Sequence, residues 1–282
     1  MGDALSKTAT NRGWPEAAPA HPPLRARLRA EVWIVLALTF GQSGVYALLS
    51  LINKATNEGG LSASSTTLNQ SVSAKLWFDA IVQVTGIAFD LVPVALVIWL
   101  LGASAGRAAS GSGMAQGARL LGLDQLCRPR TLVRGLGLAA VIGIPGLALY
   151  AAGRALGITV NVVPSGLDGS WWNLIVLLGS AAAAALSEET VVAGWLVIRL
   201  RQLAWGWPAV FAATALLRGS YHLYQGIGPF VGNVVMGLVF VWFARRWGGV
   251  ATLIIGHFTI DAVAFVGWQL AGGWLTSSGL LG

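Results

Sequence analysis

Seven ionisable side chains lie inside long apolar stretches of the sequence. They are Asp90, Glu188, Glu189, Arg218, His222, His257 and Asp261. A charged residue at the centre of a membrane helix costs about 2.5–3.5 kcal/mol on insertion scales, so such residues are functional candidates by default. Six of the seven fall between residues 188 and 261. This clustering indicates one polar site in the last third of the chain.

The spacing of these residues is compatible with helices that share one site. Two pairs are separated by four residues, namely Arg218 with His222 and His257 with Asp261. Residues four apart lie on the same face of a helix. Glu188 and Glu189 are adjacent, and adjacent side chains point about 100° apart around a helix. One glutamate can therefore face a cavity while the other forms a structural ion pair.

A carboxylate and two imidazoles around a water molecule are suited to hydrolysis. Glu188 would act as the general base, and His222 or His257 would donate to an oxyanion or protonate a leaving amine. Together with Asp261 these residues are also possible zinc ligands, since Zn²⁺ takes three protein ligands and a water. The sequence has no His-Glu-x-x-His pattern, which is the usual signature of such a site. We therefore expect that no cofactor is required, with zinc as the alternative.

Composition places the site in a membrane protein. Only 10% of the 282 residues are charged and 55% are hydrophobic, whereas about 25% of residues are charged in soluble domains. The chain has 13 tryptophans, which favour membrane interfaces, and 37 glycines, which allow close helix crossings. The sequence therefore predicts an integral membrane protein.

Seven apolar segments are candidates for membrane-spanning helices. They cover residues 32–52, 76–101, 135–156, 171–200, 207–224, 230–243 and 250–270. About 20 residues are enough to cross the bilayer, so the long segment 171–200 should be tilted, kinked or split near Ser187. We predict an all-α polytopic bundle of seven or eight transmembrane helices. It comprises a disordered cytoplasmic tail (1–30), N-terminal helices (31–156) and core catalytic helices (170–272), which form one membrane domain.

Basic residues alternate between the loops. They gather in the N-terminal tail, in the loop over 102–134 and in two short connections near residues 199–201 and 245–246. The positive-inside rule then predicts a cytoplasmic N-terminus in the plasma membrane, with the loops over 54–74 and 157–169 outside. The net charge of +7 thus reports orientation. We expect membrane lipid and a peptide or membrane-protein substrate as partners, and no nucleic acid; the sequence indicates no oligomeric state.

Three motifs resemble those of the CAAX-protease and bacteriocin-processing (CPBP) family of intramembrane peptidases. That family carries Glu-Glu-x-x-x-Arg, Phe-x-x-x-His and His-x-x-x-Asn or His-x-x-x-Asp on successive helices. Here the motifs read Glu188-Glu189-Thr-Val-Val-Ala193, Arg218-Gly-Ser-Tyr-His222 and His257-Phe-Thr-Ile-Asp261, and the resemblance covers about residues 170–272. It implies an endopeptidase that cleaves near membrane-embedded chain ends. Glu188 would activate water with help from His222, and His257 and Asp261 would bind the oxyanion or orient the water.

The chain departs from the family motifs at two positions. Ala193 replaces the arginine of the first motif, and Arg218 replaces the phenylalanine of the second. In the family that arginine would pair with the second glutamate. We therefore predict that Arg218 supplies the missing charge to Glu189 from a neighbouring helix.

Two alternatives to an active peptidase follow from the same residues. The altered first motif is compatible with a catalytically inactive scaffold or regulator of the same family. A small proton-coupled transporter would use the buried polar residues as a relay, but the chain lacks the repeated halves that are common in transporters. Asp90, which precedes Pro93, is expected at a helix kink or beside Arg218.

Overall fold

The computed structural model describes residues 20–104, 113–167 and 171–277, with side chains described as far as residue 270. Most of this part is helical. The helices are α1 (Pro22–Leu38), α2 (Phe40–Thr56), α3 (Gly60–Ala63), α4 (Leu76–Asp90), α5 (Val92–Ser104), α6 (Gly113–Leu120), α7 (Pro129–Ala155), α8 (Trp171–Glu188), α9 (Val197–Gln202), α10 (Trp207–Ser220), α11 (Ile227–Trp247) and α12 (Ala251–Ser277). A π-helical segment (Glu189–Leu196) joins α8 to α9, and 3₁₀ turns cover Leu123–Gln125 and Leu223–Gln225. Two short strands, β1 (Ser65–Thr67) and β2 (Asn161–Val163), pair in parallel.

The predicted helical membrane protein is confirmed, but its predicted number of spans is not. Within the described residues, five helical segments are long and apolar enough to cross a membrane: Leu76–Ser104, Pro129–Ala155, Trp171–Gln202, Ile227–Trp247 and Ala251–Leu270. The pair α1 and α2, bent by 45°, makes a sixth if it counts as one span. Helix α10 has only 14 residues and rises about 21 Å, less than the bilayer core of about 30 Å. The segment Trp171–Gln202 is helical throughout, including its π-helical part, and counts as one candidate span.

The N-terminal helix begins earlier than the sequence indicates. Residues 22–30, predicted to belong to a disordered tail, form the first half of α1, while residues 1–19 lie outside the described part. Glu31 on α1 accepts hydrogen bonds from Arg199 Nε at 2.6 Å and Trp195 Nε1 at 3.1 Å. Arg199 is fully buried and also donates to the carbonyl oxygen of Leu100. A buried charge requires such partners, and these ones fasten α1 to α5 and α9.

Helices α10 and α11 cross closely at two glycines. A Cβ atom at Gly219 would lie 2.5 Å from Val234 Cγ2, and one at Gly237 would lie 3.0 Å from Ala215 Cα and 3.3 Å from Arg218 Cδ. Small residues let membrane helices approach one another. The crossing therefore leaves room for the Arg218 side chain, which is turned toward the π-helical segment.

Loops from the side predicted to be external hold the turn that follows α10. The amide of Val160 donates to the carbonyl oxygen of Gln225 at 3.1 Å, and the amide of Ile227 donates to Ile158 at 2.9 Å. Lys54 Nζ donates to the carbonyl oxygen of Tyr224 at 2.8 Å. Together these bonds fix the backbone between α10 and α11, where His222 lies.

The close crossing predicts opposite effects for two Gly→Ala substitutions. Gly219→Ala should destabilise the protein by about 1–3 kcal/mol, because overpacking forces neighbouring atoms apart. Gly86→Ala is the matched control, since a Cβ at Gly86 meets nothing within 4 Å; it should be neutral or stabilising by up to about 1 kcal/mol. The measurement is thermal unfolding in detergent. Equal melting temperatures for the two variants would show that the crossing tolerates a side chain.

Candidate active site

The two glutamates lie where the long helix changes its hydrogen-bonding pattern. Glu188 is the last residue of α8, and Glu189 begins the π-helical segment. Such segments occur frequently at functional sites in α-helices. Every residue from Glu189 to Leu196 is buried. The wider turn thus presents both carboxylates inside the bundle. Both lie on the long helical segment 171–200 that the sequence predicted.

Arg218 pairs with Glu189, as the sequence predicted. Arg218 Nη2 lies 2.6 Å from Glu189 Oε1, and Nη1 lies 3.2 Å from Oε2. Both side chains are buried, with 1% and 0% exposure. A two-pronged contact between a guanidinium and a carboxylate is among the strongest hydrogen-bonded pairs in proteins. The Phe240 ring, 5.1 Å from Arg218 Cζ, covers the cation with an aromatic face.

Glu188 is the more accessible of the two carboxylates, at 13% exposure of its side chain. Its Oε2 atom accepts a hydrogen bond from the Tyr221 hydroxyl at 2.8 Å, and Arg218 Nη2 lies 3.3 Å from the same oxygen. No described residue forms a hydrogen bond with Oε1. The carboxylate is therefore fixed through one oxygen and presents the other.

Tyr221 is a site residue that the sequence did not indicate. The residue is buried, and its ring lies 4.8 Å from both the Phe40 and the His222 rings, measured between centroids. The available signal was its position three residues after Arg218 and one before His222. The Tyr221 hydroxyl reaches Glu188 because α10 ends at Ser220, one residue before Tyr221.

His257 joins the same group from α12. Its Nδ1 atom lies 2.7 Å from Glu189 Oε1 and 3.2 Å from Arg218 Nη2, so the Nδ1 proton is donated to Glu189. Its Nε2 atom lies 3.3 Å from Asp261 Oδ2. Asp261 therefore pairs with the His257 imidazole through the ring nitrogen that does not face Glu189.

His222 approaches the group from the turn after α10. Its Nδ1 atom lies 3.0 Å from the carbonyl oxygen of Arg218, to which it donates, and the side chain is partly buried. Asp90 stays apart from the group. It ends α4, the helix is interrupted at Leu91 just before Pro93, and the Asp90 side chain is exposed. No described contact joins Asp90 to Arg218.

The group contains a possible metal-ligand set, but the arrangement does not fit a metal. Within the described residues, ligand atoms of Glu188, Glu189 and His257 lie within 4.8 Å of one another. Arg218 Nη2 lies 3.3, 2.6 and 3.2 Å from those three side chains. A guanidinium already fills the position where their ligand atoms converge, and a second cation there would be repelled. His222 and Asp261 are not members of the set. The geometry thus favours Arg218, and not a metal ion, as the cation that holds these three side chains together.

Comparison with known proteins supports the resemblance seen in the motifs. Residues 170–263 match the family model described as type II CAAX prenyl endopeptidase, Rce1-like, in agreement with a CPBP intramembrane peptidase. The matched range is about a third of the chain and contains every member of the polar group. No curated protein and no solved structure matches the chain.

Proposed function

We propose that this integral membrane protein is an intramembrane endopeptidase that hydrolyses a peptide bond near the membrane through a water activated by Glu188. The observation that carries the proposal is the buried guanidinium of Arg218, which contacts Glu188, Glu189 and His257. This cluster lies within the range that matches a family of peptidases. The match suggests a peptidase, and the arrangement of the side chains suggests how it works.

Glu188 is the proposed general base. Its Oε2 atom is held by Tyr221 and Arg218, so Oε1 accepts a proton from the water. The resulting hydroxide attacks the carbonyl carbon of the peptide, and the C–N bond then breaks. Protonated Glu188 returns the proton to the leaving amine, which completes the hydrolysis. His222 donates a hydrogen bond from Nδ1 to the Arg218 carbonyl oxygen, so its Nε2 atom is free to accept a hydrogen bond from the second O–H of the water, which stays on the attacking hydroxide.

His257 is the proposed donor to the oxyanion. Its ring bridges two carboxylates, Glu189 at Nδ1 and Asp261 at Nε2. An ionised Asp261 by itself would repel an oxyanion. Paired with His257, the aspartate instead orients the imidazole and holds a proton on Nε2, while the Nδ1 proton is donated to Glu189. The ring then carries both protons and a positive charge, and Nε2–H is shared between Asp261 and the developing oxyanion. A donor that is fixed before the reaction stabilises the tetrahedral intermediate without reorganisation.

The proposed substrate is a peptide or membrane protein whose cleaved bond lies close to the bilayer. The description of the matched family includes prenyl endopeptidase activity, so a prenylated peptide is the first probe to use.

An inactive scaffold was suggested mainly by Ala193 in place of the motif arginine. Because Arg218 gives Glu189 a guanidinium partner, that argument loses its basis. We further propose that the protein resides in the plasma membrane with a cytoplasmic N-terminus.

Removing the base should slow hydrolysis strongly. In proteoliposomes with a fluorogenic farnesylated peptide, Glu188→Gln should lower kcat by about 10²–10⁴-fold, the typical contribution of general base catalysis. Glu58→Gln is the control, since Glu58 is an exposed loop residue and should keep wild-type turnover. Full activity of Glu188→Gln would refute the mechanism. A folded wild-type protein that cleaves neither prenylated nor unprenylated peptides would instead favour the inactive scaffold.

Tyr221 should affect the catalytic rate more than substrate binding. Tyr221→Phe removes one hydrogen bond to a charged group, which is worth about 1.5–3 kcal/mol, so kcat should fall by about 10–150-fold. KM should stay within about twofold, because the hydroxyl orients the base and does not touch the peptide. Tyr224→Phe is the control, since the Tyr224 hydroxyl contacts Gln225 instead. A rise in KM at unchanged kcat would assign Tyr221 to substrate binding.

A further inference from the structure

Trp207, at the start of α10, lies close to two arginines from the ends of other helices. Its ring centroid is 4.3 Å from Arg245 Cζ and 4.8 Å from Arg201 Cζ. Arg201 lies near the end of α9, and Arg245 lies near the end of α11. We term these three residues the Trp207 cluster. It brings three helices together at one end of the bundle, away from the polar group around Arg218.

The positive charge of the Trp207 cluster is not balanced by any described carboxylate. The ion pairs of the described residues involve Arg128, Arg199, Arg218 and His257 as the basic partners. Arg201 donates from Nη1 to the carbonyl oxygen of Trp205 at 2.6 Å. Its Nε atom and the Trp207 Nε1 atom are buried and have no acceptor among the described residues. The cluster thus combines two cations with two unsatisfied N–H donors.

The surroundings of the cluster are typical of a membrane interface. Trp205 and Arg245 are exposed, and Trp247 stacks on Phe243 with ring centroids 4.1 Å apart. Arg134, near the start of α7, lies over Trp247 at 4.9 Å. Tryptophan and arginine concentrate at the level of the lipid headgroups, where one end of the side chain is apolar and the other meets charge. The anions at this level are lipid phosphates.

An exposed apolar strip leads away from the cluster along α11. Trp242, Leu238 and Val235 are 53%, 38% and 50% exposed, and their spacing places them on one side of the helix below Arg245. A ligand that has a phosphate at the arginines can lay an acyl chain along this strip. A soluble phosphate has no acyl chain that could contact this strip.

We propose that the Trp207 cluster binds the phosphate of an anionic phospholipid, whose acyl chain follows the exposed strip of α11. Arginine suits this role, because its planar guanidinium donates two parallel hydrogen bonds to phosphate. A zwitterionic lipid would be weaker, since it brings its own cation to the same place. This inference stands independently of the proposed peptidase activity, because it uses none of the residues around Glu188.

The test is native mass spectrometry of the full-length protein released from detergent micelles, with titrated phosphatidylglycerol. Near a membrane surface each arginine contributes about 1 kcal/mol toward anionic lipid. Arg201→Gln/Arg245→Gln should therefore weaken the first phosphatidylglycerol adduct by about 30-fold. The control is Arg128→Gln/Arg130→Gln, which removes the same charge at exposed positions of another segment and should leave the adduct within about threefold. The single variants Arg201→Gln and Arg245→Gln replace the double variant if that fails to fold, each with about a fivefold loss expected.

Two further titrations separate the possible sources of phosphate. Phosphatidylcholine should bind at least about tenfold more weakly than phosphatidylglycerol, and glycerol 3-phosphate should not compete with the lipid. The proposal is overturned if the control double variant loses as much affinity as the cluster variant, since general surface charge would then explain binding. It is also overturned if phosphatidylcholine binds equally well, or if glycerol 3-phosphate displaces phosphatidylglycerol.

Discussion

A single buried cation, the guanidinium of Arg218, organises the site on which the proposed function rests. Its side chain is 1% exposed, and an isolated charge in such a place would be prohibitive. The cost is offset by contacts with Glu189, Glu188 and His257, which bring three helices together. The same guanidinium lies where a metal ion would have to bind. The arginine therefore decides both the shape of the site and the kind of chemistry that we assign to it.

Other features of the architecture position that guanidinium and the residues beside it in the site. Gly237 leaves room for the Arg218 side chain where α10 crosses α11. Helix α10 stops at Ser220, short of a full span, and the next residue, Tyr221, reaches Glu188 at the end of α8. Hydrogen bonds from the Val160 amide and from Lys54 Nζ fix this turn. Short length, close crossing and tied loops together determine where Tyr221 and His222 lie.

Part of this arrangement could be predicted from the sequence. The pairing of Arg218 with Glu189 was predictable, because charges of opposite sign in apolar segments must find partners and the motif arginine is replaced by Ala193. Other features depend on tertiary structure. The segment 207–224 is apolar throughout its first part, and nothing in its pattern indicates an end at Ser220. The neutral hydroxyl of Tyr221 carries no electrostatic signal, and the Pro- and Arg-rich start of α1 conceals a helix that Glu31 and Arg199 hold in place.

The most direct test of the role of Arg218 is its coupling free energy with Glu189, measured by thermal unfolding of Arg218→Met, Glu189→Gln and the double variant in detergent. Each single substitution leaves a buried charge without its main partner, which typically costs about 3–5 kcal/mol. If this ion pair holds the site together, the double variant loses less stability than the sum of the two single losses, with a coupling of at least about 2 kcal/mol. Additive losses would contradict the central role of this ion pair.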